Sequence, residues 1–513
     1  MTVGDMLVRN ANKFPKKTAI VADGEEISYK ALNARVNGLA NSLLKMGLQK
    51  GDRIGVLVHN CRQFVEIYFA AAKTGGIFCP YNNHVKAREM ADIITYSTPE
   101  FLFLDADWGG MIESLKPELN SVKHYICLQK PDWSFMKSYE ELVGGGSDAE
   151  PGVKIDDDDV MSMFFTAGTT GQPKGALRTH RHLVMNGLAT IIELNVGYDD
   201  KPIITFPMYH VACEDNISRH FFMPNTVHIR REGGFSPAEM LGYISQNHIT
   251  MCQMVPTMVH ATLQTPDIDT YDLSSLRLIL YAGSSMPVEL LKRALKVFNC
   301  GFAQLYGQTE SGPFTTVLKP EDHIMDGSEK KLARLASSGR ATFNYEIRVV
   351  DDEDKDVATG EVGELIGRSE SMMKGFWQMP EETEKKLKGG WLHTGDLAKI
   401  DEDGYVYIVE RKNDMIISGG VNIYPREIEE VLYRHPAILE AQVIGVKDEY
   451  WGEVPKAVVV LKEGMSATAE EITKFCGENL ASYKKPKSVD FWKELPKSPQ
   501  GKILKKVIRE SFK

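Results

Sequence analysis

Residues 52–82 read DRIGVLVHNCRQFVEIYFAAAKTGGIFCPYN, and this stretch decides the fold class. The compact apolar run at 52–60 is typical of a buried strand. Residues 62–76 space their apolar side chains helically and end on a pair of glycines, which favours a helix that stops there. A second short strand and turn residues follow at 77–82. Strand, helix and strand in succession form a βαβ unit, which predicts a parallel sheet with both faces covered.

The same alternation returns between residues 249 and 307, where three predicted strands flank a helix at 287–298. The chain changes character near residue 410, after a predicted hairpin around Asp403-Gly404. A compact α+β pattern occupies the rest. We therefore expect an α/β protein, with a large N-terminal region of parallel-rich βαβ sheets flanked by helices and a small α+β C-terminal domain.

Composition limits the class of protein. The chain has 513 residues, and 60 Lys+Arg against 70 Asp+Glu give a net charge of -10, which argues against general nucleic-acid binding. Its 43% hydrophobic content excludes intrinsic disorder. We see no transmembrane segment and no secretory signal, and the seven scattered cysteines favour reduced thiols over disulfides or a zinc site. These features predict a cytoplasmic protein.

Two features point to phosphate. The loop at 166–175, TAGTTGQPKG, follows a predicted strand, and its backbone N–H groups, threonines and lysine suit anionic oxygens, although the spacing does not fit a Walker A loop. Residues 482–513 hold ten Lys/Arg and three Asp/Glu. Taken alone, the loop is equally well a plain turn and the basic tail a solvated surface.

The loop is accompanied by four further motifs in a fixed order: Tyr306-Gly-Gln-Thr-Glu310, Trp391-Leu-His-Thr-Gly-Asp396, Glu410-Arg411 and Gly501-Lys502. Their spacing resembles the adenylate-forming superfamily, which contains acyl-CoA synthetases, peptide-synthetase adenylation domains and beetle luciferases. The resemblance covers essentially the whole chain. It is strongest to the acyl- and aryl-CoA ligases, through MIISGGVNIYPREIEEVL at 415–432 and DEYWGEVPKAVVVL at 448–461.

The resemblance implies an acid–thiol ligase that joins a carboxylic acid to AMP from ATP, releases pyrophosphate and passes the acyl group to coenzyme A. An anionic nucleophile then attacks a polyanion, so cations and oriented dipoles must offset the repulsion. The implied domains are 1–411 for ATP and acid, a hinge at 412–414 around Asn413, and 415–513 as a mobile C-terminal domain. Members of this superfamily usually have Asp or Lys at the hinge, where this chain has Asn413, but asparagine also tolerates unusual backbone angles.

The implied ATP-binding residues fall into three groups. The phosphate loop contributes Thr166, Ala167, Gly168, Thr169, Thr170, Gly171 and Lys174. The adenine walls are Ala282, Gly283, Ser284, Ser285, Tyr306 and Gly307, while Thr309 meets the α-phosphate and Asp396 and Arg411 meet the ribose or phosphate. Glu310 is the implied Mg²⁺ ligand, and one carboxylate suffices because ATP phosphates complete the shell.

Lys502 is the implied catalytic lysine, since an ammonium suits charge shared between the acid carboxylate and the α-phosphate. His210 is implied beside the reacting carboxylate. The implied acyl pocket comprises His210, Val211, Gly283, Leu305 and Gly307. The implied coenzyme A residues are Ser418, Gly419, Gly420, Trp451, Tyr483, Lys485 and Lys487.

Two polar stretches are harder to interpret. Residues 213–220, CEDNISRH, are unusually polar for an alkyl pocket, so we expect part of this segment to face solvent; the other interpretation is an acid with a polar group. We expect Thr179-His-Arg-His182 to be ordinary helix surface.

Three other functions stay open at this point. The chain could load the pantetheine of a carrier protein, act as a catalytically silent nucleotide-binding regulator or, more remotely, be an oxygen-dependent luciferase. The sequence identifies neither the acid nor the oligomeric state, and a homo-oligomer stays open.

Overall fold

The computed structural model describes residues 1–166, 173–231, 235–284, 286–419, 421–498 and 501–512. Seven of the predicted site residues lie outside the described residues: Ala167, Gly168, Thr169, Thr170, Gly171, Ser285 and Gly420.

The helices alternate with the strands along most of the chain. They are α1 (Val3–Lys13), α2 (Tyr29–Lys45), α3 (Arg62–Thr74), α4 (Ala87–Ser97), α5 (Gly109–Leu115), α6 (Tyr139–Gly145), α7 (His180–Leu194), α8 (Val211–Phe222), α9 (Pro237–Asn247), α10 (Pro256–Thr262), α11 (Val288–Phe298), α12 (Glu329–Ala333), α13 (Pro380–Lys386), α14 (Pro425–Leu432), α15 (Ala469–Asn479) and α16 (Lys505–Glu510).

The strands of the first half include the predicted βαβ unit. They are β1 (Thr18–Ala22), β2 (Glu25–Ser28), β3 (Arg53–Leu57), β4 (Ile77–Pro80), β5 (Phe101–Leu104), β6 (His124–Cys127), β7 (Met136–Ser138), β8 (Val160–Thr166), β9 (Lys174–Thr179), β10 (Pro202–Ile204), β11 (Val227–Ile229), β12 (Met251–Met254) and β13 (Leu278–Tyr281).

The strands of the second half begin with the one that carries the Tyr306 motif. They are β14 (Gly301–Gln308), β15 (Gly312–Leu318), β16 (Arg340–Ala341), β17 (Glu346–Val350), β18 (Gly363–Arg368), β19 (Gly375–Phe376), β20 (Leu392–Ile400), β21 (Val406–Arg411), β22 (Ile416–Ser418), β23 (Val421–Ile423), β24 (Ile438–Asp448), β25 (Gly452–Leu461) and β26 (Ser488–Phe491).

Two large sheets form the N-terminal region. One has nine strands in the order β16-β15-β14-β13-β12-β10-β11-β1-β2, and the other has eight in the order β19-β9-β8-β4-β3-β5-β6-β7. Both are parallel at their centres and antiparallel toward an edge. Strand β3 pairs with β4 in parallel and α3 connects them, as residues 52–82 predict. The predicted α/β class is confirmed.

The largest apolar core draws buried side chains from both sheets and from helices α1, α2, α3 and α8. Residues such as Ile20 and Val227 come from the nine-stranded sheet, and Val56 and Phe78 from the eight-stranded sheet. Helix α8 is therefore enclosed by protein along most of its length, which determines how its polar side chains can be satisfied.

The remaining strands form two smaller sheets. Strands β17, β18, β20 and β21 form a four-stranded antiparallel sheet that includes the predicted hairpin. The C-terminal sheet has the order β23-β22-β25-β24, with β26 paired in parallel to β25, and α14 and α15 contribute to its core.

Two further observations concern the predicted class of protein. All seven cysteines are free thiols. Within the described ranges, no helix combines the length and apolar character needed to cross a bilayer.

Candidate active site

Asp396 lies at the centre of a buried polar network. Its Oδ1 is 2.7 Å from Arg411 Nε, and its Oδ2 accepts hydrogen bonds from Tyr306 Oη at 2.5 Å and from Gln308 Nε2 at 2.8 Å. Pairing of β20 with β21 places Asp396 directly opposite Arg411. The residue is only 2% exposed, and three donors offset the cost of burying its charge. The structure thus brings together three motifs that are far apart in sequence.

Tyr306 and Gln308 both lie on β14 and both reach Asp396, although the pairing of β14 with β15 shifts register between them. Burial raises the pKa of Tyr306 well above its usual value, and the negative charge of Asp396 adds to the effect. The phenol therefore stays a hydrogen-bond donor. Gln308 was not among the predicted site residues, although its position two residues after Tyr306 could have indicated it.

Lys386 is a second residue that sequence reasoning missed. Its Nζ donates to the Thr394 carbonyl at 3.1 Å and to Gln308 Oε1 at 3.4 Å. Burial lowers the pKa of Lys386, and the carboxylate of Glu310 is the largest influence that opposes this. A partly buried cation therefore acts on the same side of the site as the predicted Mg²⁺ ligand. The sequence PEETEKK gives no sign of this, because its charges fit a solvated helix equally well.

Helix α13 also contacts Lys174, the lysine of the predicted phosphate loop. Lys174 Nζ is 2.6 Å from Glu382 Oε2 and lies over the ring of Phe376, 5.4 Å from its centroid. Lys174 is the first residue of β9 and pairs with Thr166 at the end of β8. Glu382 and Lys386 are one turn apart on α13, so a single short helix contacts both the loop lysine and the Asp396 network. A phosphate that binds Lys174 would have to compete with Glu382.

The predicted adenine wall lies where β13 and β14 end. Tyr281 is paired in parallel with Gln304, so residues 282–284 continue beside Leu305, which is buried, and Gly307. Gly283 has a φ of +85°, a conformation that favours glycine. A Cβ on Gly307 would lie 2.5 Å from the Pro313 carbonyl carbon, so only glycine lets β15 approach this closely.

Lys502 reaches the same region from the C-terminal end of the chain. Gly501, with a φ of +79°, lies so close to helix α10 that a Cβ would be 2.4 Å from Thr257 Oγ1. The Lys502 side chain is exposed, and partial desolvation lowers its pKa, with Arg411 acting in the same direction and Asp396 opposing it. Val255, which packs against Gly501, also lies against Gly283, so the predicted catalytic lysine is next to the predicted adenine wall.

His210 is the N-terminal capping residue of α8, and its ring lies 5.1 Å from that of Tyr209. Val211 begins the helix. The buried Asn60 fixes the segment before His210, because its Oδ1 accepts from Met208 N at 2.7 Å and its Nδ2 donates to the Phe206 carbonyl at 2.9 Å. Asn60 follows strand β3 directly, and it was not predicted as a site residue.

The expectation that residues 213–220 partly face solvent is wrong. All eight are buried, and their charges pair with one another and with neighbouring helices and strands. Arg178 Nη1 donates to Glu214 Oε2 at 2.6 Å, and Asp215 accepts from Arg219 and from Asn186. Enclosure of α8 between the two large sheets forces these pairings, because a buried charge without a partner is strongly destabilising.

The expectation for Thr179-His-Arg-His182 is also wrong in part. His180 is fully buried, and its Nδ1 accepts a hydrogen bond from the backbone N–H of Val3 at 3.2 Å. Burial lowers the pKa of His180 to about 4, so the ring is neutral. Docking of α1 against this histidine could not be inferred from the local pattern.

Among the predicted coenzyme A residues, two are in direct contact. Gly419 N donates to the Trp451 carbonyl at 2.8 Å, and a Cβ on Gly419 would lie 2.5 Å from the indole ring. Trp451 is 44% exposed, and Ser418 pairs with Gly452 beside it. Hydrogen bonds from the backbone N–H groups of Trp451 and Tyr450 lower the pKa of Asp448, and the positive charge of Lys487 adds to this.

The other two predicted coenzyme A residues lie between α15 and β26. Tyr483 is 49% exposed there, and Lys485 packs near Gly477. The structure therefore groups Ser418, Gly419, Trp451 and Lys487 on one partly exposed surface of the C-terminal domain.

The chain matches a family model described as AMP-binding enzyme over residues 7–377, and one described as AMP-binding enzyme C-terminal domain over residues 427–502. The chain belongs to the AMP-binding enzyme family. The predicted superfamily is confirmed, and so is the enzyme class, an AMP-forming acid–thiol ligase.

Relatives within the family span the full chain. Feruloyl-CoA synthase from Amycolatopsis sp is 34% identical, covering 99% of both chains. Fatty acid–[acyl-carrier-protein] ligase ScoC from Streptomyces coeruleorubidus is 32% identical, covering 98% of this chain and 95% of that one. The structure of anthranilate CoA ligase AuaEII in complex with anthranoyl-AMP has a TM-score of 0.92 and 27% identity, covering 100% of this chain and 97% of that one.

Proposed function

We propose that this family member is an ATP-dependent acyl-CoA ligase, which forms an acyl-adenylate from a carboxylic acid and ATP and then transfers the acyl group to coenzyme A. One observation carries the proposal. Gly501, the neighbour of Lys502, packs against Val255, and Val255 also lies against Gly283 of the predicted adenine wall, so the C-terminal domain brings this lysine to the large region's site. A lysine there can approach a phosphate and a carboxylate held by the Asp396 network.

In the first half-reaction, the acid carboxylate attacks the α-phosphorus of ATP and pyrophosphate leaves. Asp396 would hold the ribose, and the Tyr306 ring would lie against adenine, with Ala282, Gly283 and Ser284 opposite. Lys502 would stabilise the negative charge shared by the attacking and phosphoryl oxygens, which is an electrostatic contribution to the transition state. Lys174 would release Glu382 and pair instead with the β- and γ-phosphates of ATP.

Glu310 fits a magnesium ion that arrives with ATP. It supplies one hard carboxylate, and within the described residues no cluster of three or more His, Cys, Asp or Glu side chains is arranged to hold a metal by itself. When bound, Mg²⁺ would neutralise phosphate charge. Lys386, within range of Glu310, would add a protein cation on the same side.

In the second half-reaction, the thiol of coenzyme A attacks the acyl carbonyl and AMP leaves. Trp451, Gly419 and Lys487 lie on the C-terminal domain and are partly exposed in this arrangement. Rotation about the predicted hinge at 412–414 would bring that surface to the adenylate. The close contact of Trp451 with the Gly419 backbone supports a narrow path for pantetheine along this surface.

The proposal is tested with purified protein and a panel of acids. We expect AMP release that requires both an acid and coenzyme A, together with pyrophosphate release from ATP. Pyrophosphate release with no acyl-CoA formed when coenzyme A is added would contradict coenzyme A as the acyl acceptor. Absence of pyrophosphate release with every acid would support the silent regulator instead.

A carrier-protein pantetheine is the second candidate acceptor, because the relative ScoC is named as a ligase of fatty acids to an acyl carrier protein. Coenzyme A and a carrier share the pantetheine arm but differ in the nucleotide. We therefore expect free coenzyme A to support faster turnover than a phosphopantetheinylated carrier, since Lys487 offers a cation for the nucleotide phosphates. The opposite preference would favour the carrier.

A further inference from the structure

A buried ion cluster joins strand β21 to the end of the chain. Lys505 Nζ lies 3.4 Å from both carboxylate oxygens of Glu410 and 3.5 Å from Glu429 Oε1. Glu410 is only 6% exposed. Burial alone would lower the pKa of Lys505, but the carboxylates of Glu429 and Glu410 outweigh it and raise that pKa. The ammonium therefore stays charged, and its ion pairs hold α16 against β21 and α14.

Glu410 is the neighbour of Arg411 on β21, and the two side chains point to opposite sides of the strand. Arg411 reaches Asp396 in the adenylate site, whereas Glu410 faces the C-terminal domain. Glu410 Oε2 also accepts from the backbone N–H of Arg426 at 3.2 Å, and the Arg426 guanidinium donates to the Ile408 carbonyl. The contacts of Glu410 with Lys505 and Arg426, and that of Arg426 with Ile408, cross the predicted hinge at 412–414.

Lys505 lies three residues after Lys502, and Lys502 itself is held in a turn with Ser498. Ser498 N donates to the Lys502 carbonyl at 2.8 Å, and Lys502 N donates to Ser498 Oγ at 3.2 Å. Arg509, one turn beyond Lys505, is 2.7 Å from Asp414. The segment that carries Lys502 is therefore anchored at its far end by ion pairs.

We propose that Lys505 is a positioning residue for acyl-adenylate formation, and that its ion pairs with Glu410 and Glu429 hold Lys502 in the adenylate site. This inference rests on the proposed function. No bond changes at Lys505; it acts only through the placement of Lys502.

The two carboxylates that pair with Lys505 belong to different regions of the chain, so they respond differently to a domain rotation. Glu429 belongs to the same domain as Lys505, whereas Glu410 belongs to the large region. A rotation about the hinge breaks the contact with Glu410 and preserves the contact with Glu429. Lys505 is thus never left without a counter-ion, which keeps the cost of leaving the first arrangement low. Glu410 is the partner that distinguishes the two arrangements.

The test compares Lys505→Met with Lys506→Met. The second lysine is the next residue, carries the same charge and is exposed, so it is a matched control. Pyrophosphate release with ATP and acid reports the first half-reaction, and acyl-CoA formation from supplied acyl-adenylate reports the second. We expect Lys505→Met to slow the first about 10- to 100-fold, as a small misplacement of a catalytic group can do. The second should change less than about twofold, as should both steps in Lys506→Met.

Two further variants make the result decisive. Lys505→Arg should restore most of the first half-reaction, because it keeps the charge. Glu410→Gln leaves Lys505 paired with Glu429, so it should fold even if Lys505→Met does not, and it should show the same selective loss. Equal losses in both half-reactions, or no loss in the first, would overturn the inference. If the native protein forms no acyl-adenylate with any acid, the proposed function fails and the inference fails with it.

Discussion

Arg411 Nε lies 2.7 Å from Asp396 Oδ1, and the two residues are direct partners across strands β20 and β21. The pair joins a carboxylate suited to ribose hydroxyls with a cation that also influences Lys502. It therefore lies where the large region and the C-terminal lysine meet. The predictions below follow from this arrangement.

Asp396→Asn should raise the KM for ATP in the pyrophosphate-release assay by about 10- to 100-fold, because charge-assisted hydrogen bonds are worth roughly 1.5–3 kcal/mol each. The amide keeps the shape of the side chain but removes the counter-ion of Arg411. Asp352→Asn is the control, since Asp352 is 90% exposed and pairs only at the surface with Lys412. An unchanged KM for ATP in Asp396→Asn would show that Asp396 does not bind the ribose.

As the pH is raised, the rate of the first half-reaction should begin to fall at a lower pH than it would if Lys502 had the usual pKa of a lysine. Partial desolvation and the charge of Arg411 lower the pKa of Lys502, so its ammonium loses the proton at a lower pH. The measurement is kcat/KM for pyrophosphate release against pH, which reports groups of the free enzyme. A profile that stays flat until the normal range of lysine would contradict this prediction. The rate of thioester formation from supplied acyl-adenylate should not show this fall at alkaline pH.

Trp451→Ala and Lys485→Ala should each raise the KM for coenzyme A and leave acyl-adenylate formation nearly intact. Trp451 covers the Gly419 backbone, and Lys485 lies between α15 and β26 beside Gly477; both belong to the C-terminal domain. Met465→Ala is a control for loss of an exposed apolar side chain elsewhere in the same domain. Equal losses in both half-reactions would show that this surface is not the one that receives coenzyme A.

A substituted or aromatic acid should give a higher kcat/KM than palmitate. Helix α8 follows His210 and is built around the buried charges of Glu214, Asp215 and Arg219, so it offers a long alkyl chain little apolar surface. The assay is AMP release over short alkyl, aromatic, hydroxylated, dicarboxylic and long-chain acids. A clear preference for palmitate would contradict the prediction.

Much of the fold could be predicted because its signals are local. The strand–helix–strand pattern at 52–82 and the hairpin around Asp403 depend on apolar spacing and turn residues, and the structure contains both. The grouping of Tyr306, Asp396 and Arg411 in one site was implied by the family resemblance of their motifs. Sheet order and the enclosure of α8 could not be predicted, since both depend on contacts between distant segments.

The misses have a common physical cause. Glu214 and Arg178 are 36 residues apart, and each alone suits a surface; only their pairing permits burial. Lys386 and Lys505 are likewise single lysines in charged stretches, PEETEKK and ILKK, whose partners come from other elements. A charged residue buried by tertiary contacts leaves no periodic signal in its own segment.

The most direct test of the account is Lys502→Ala, assayed separately in the two half-reactions. We predict a loss of about 10²–10³ in acyl-adenylate formation, roughly 3–4 kcal/mol, because a positioned charge is removed from the first transition state. Given ready-made acyl-adenylate, the variant should form acyl-CoA at close to the native rate, and Lys502→Arg should rescue the first step poorly. Normal adenylation, or equal losses in both steps, would contradict the account.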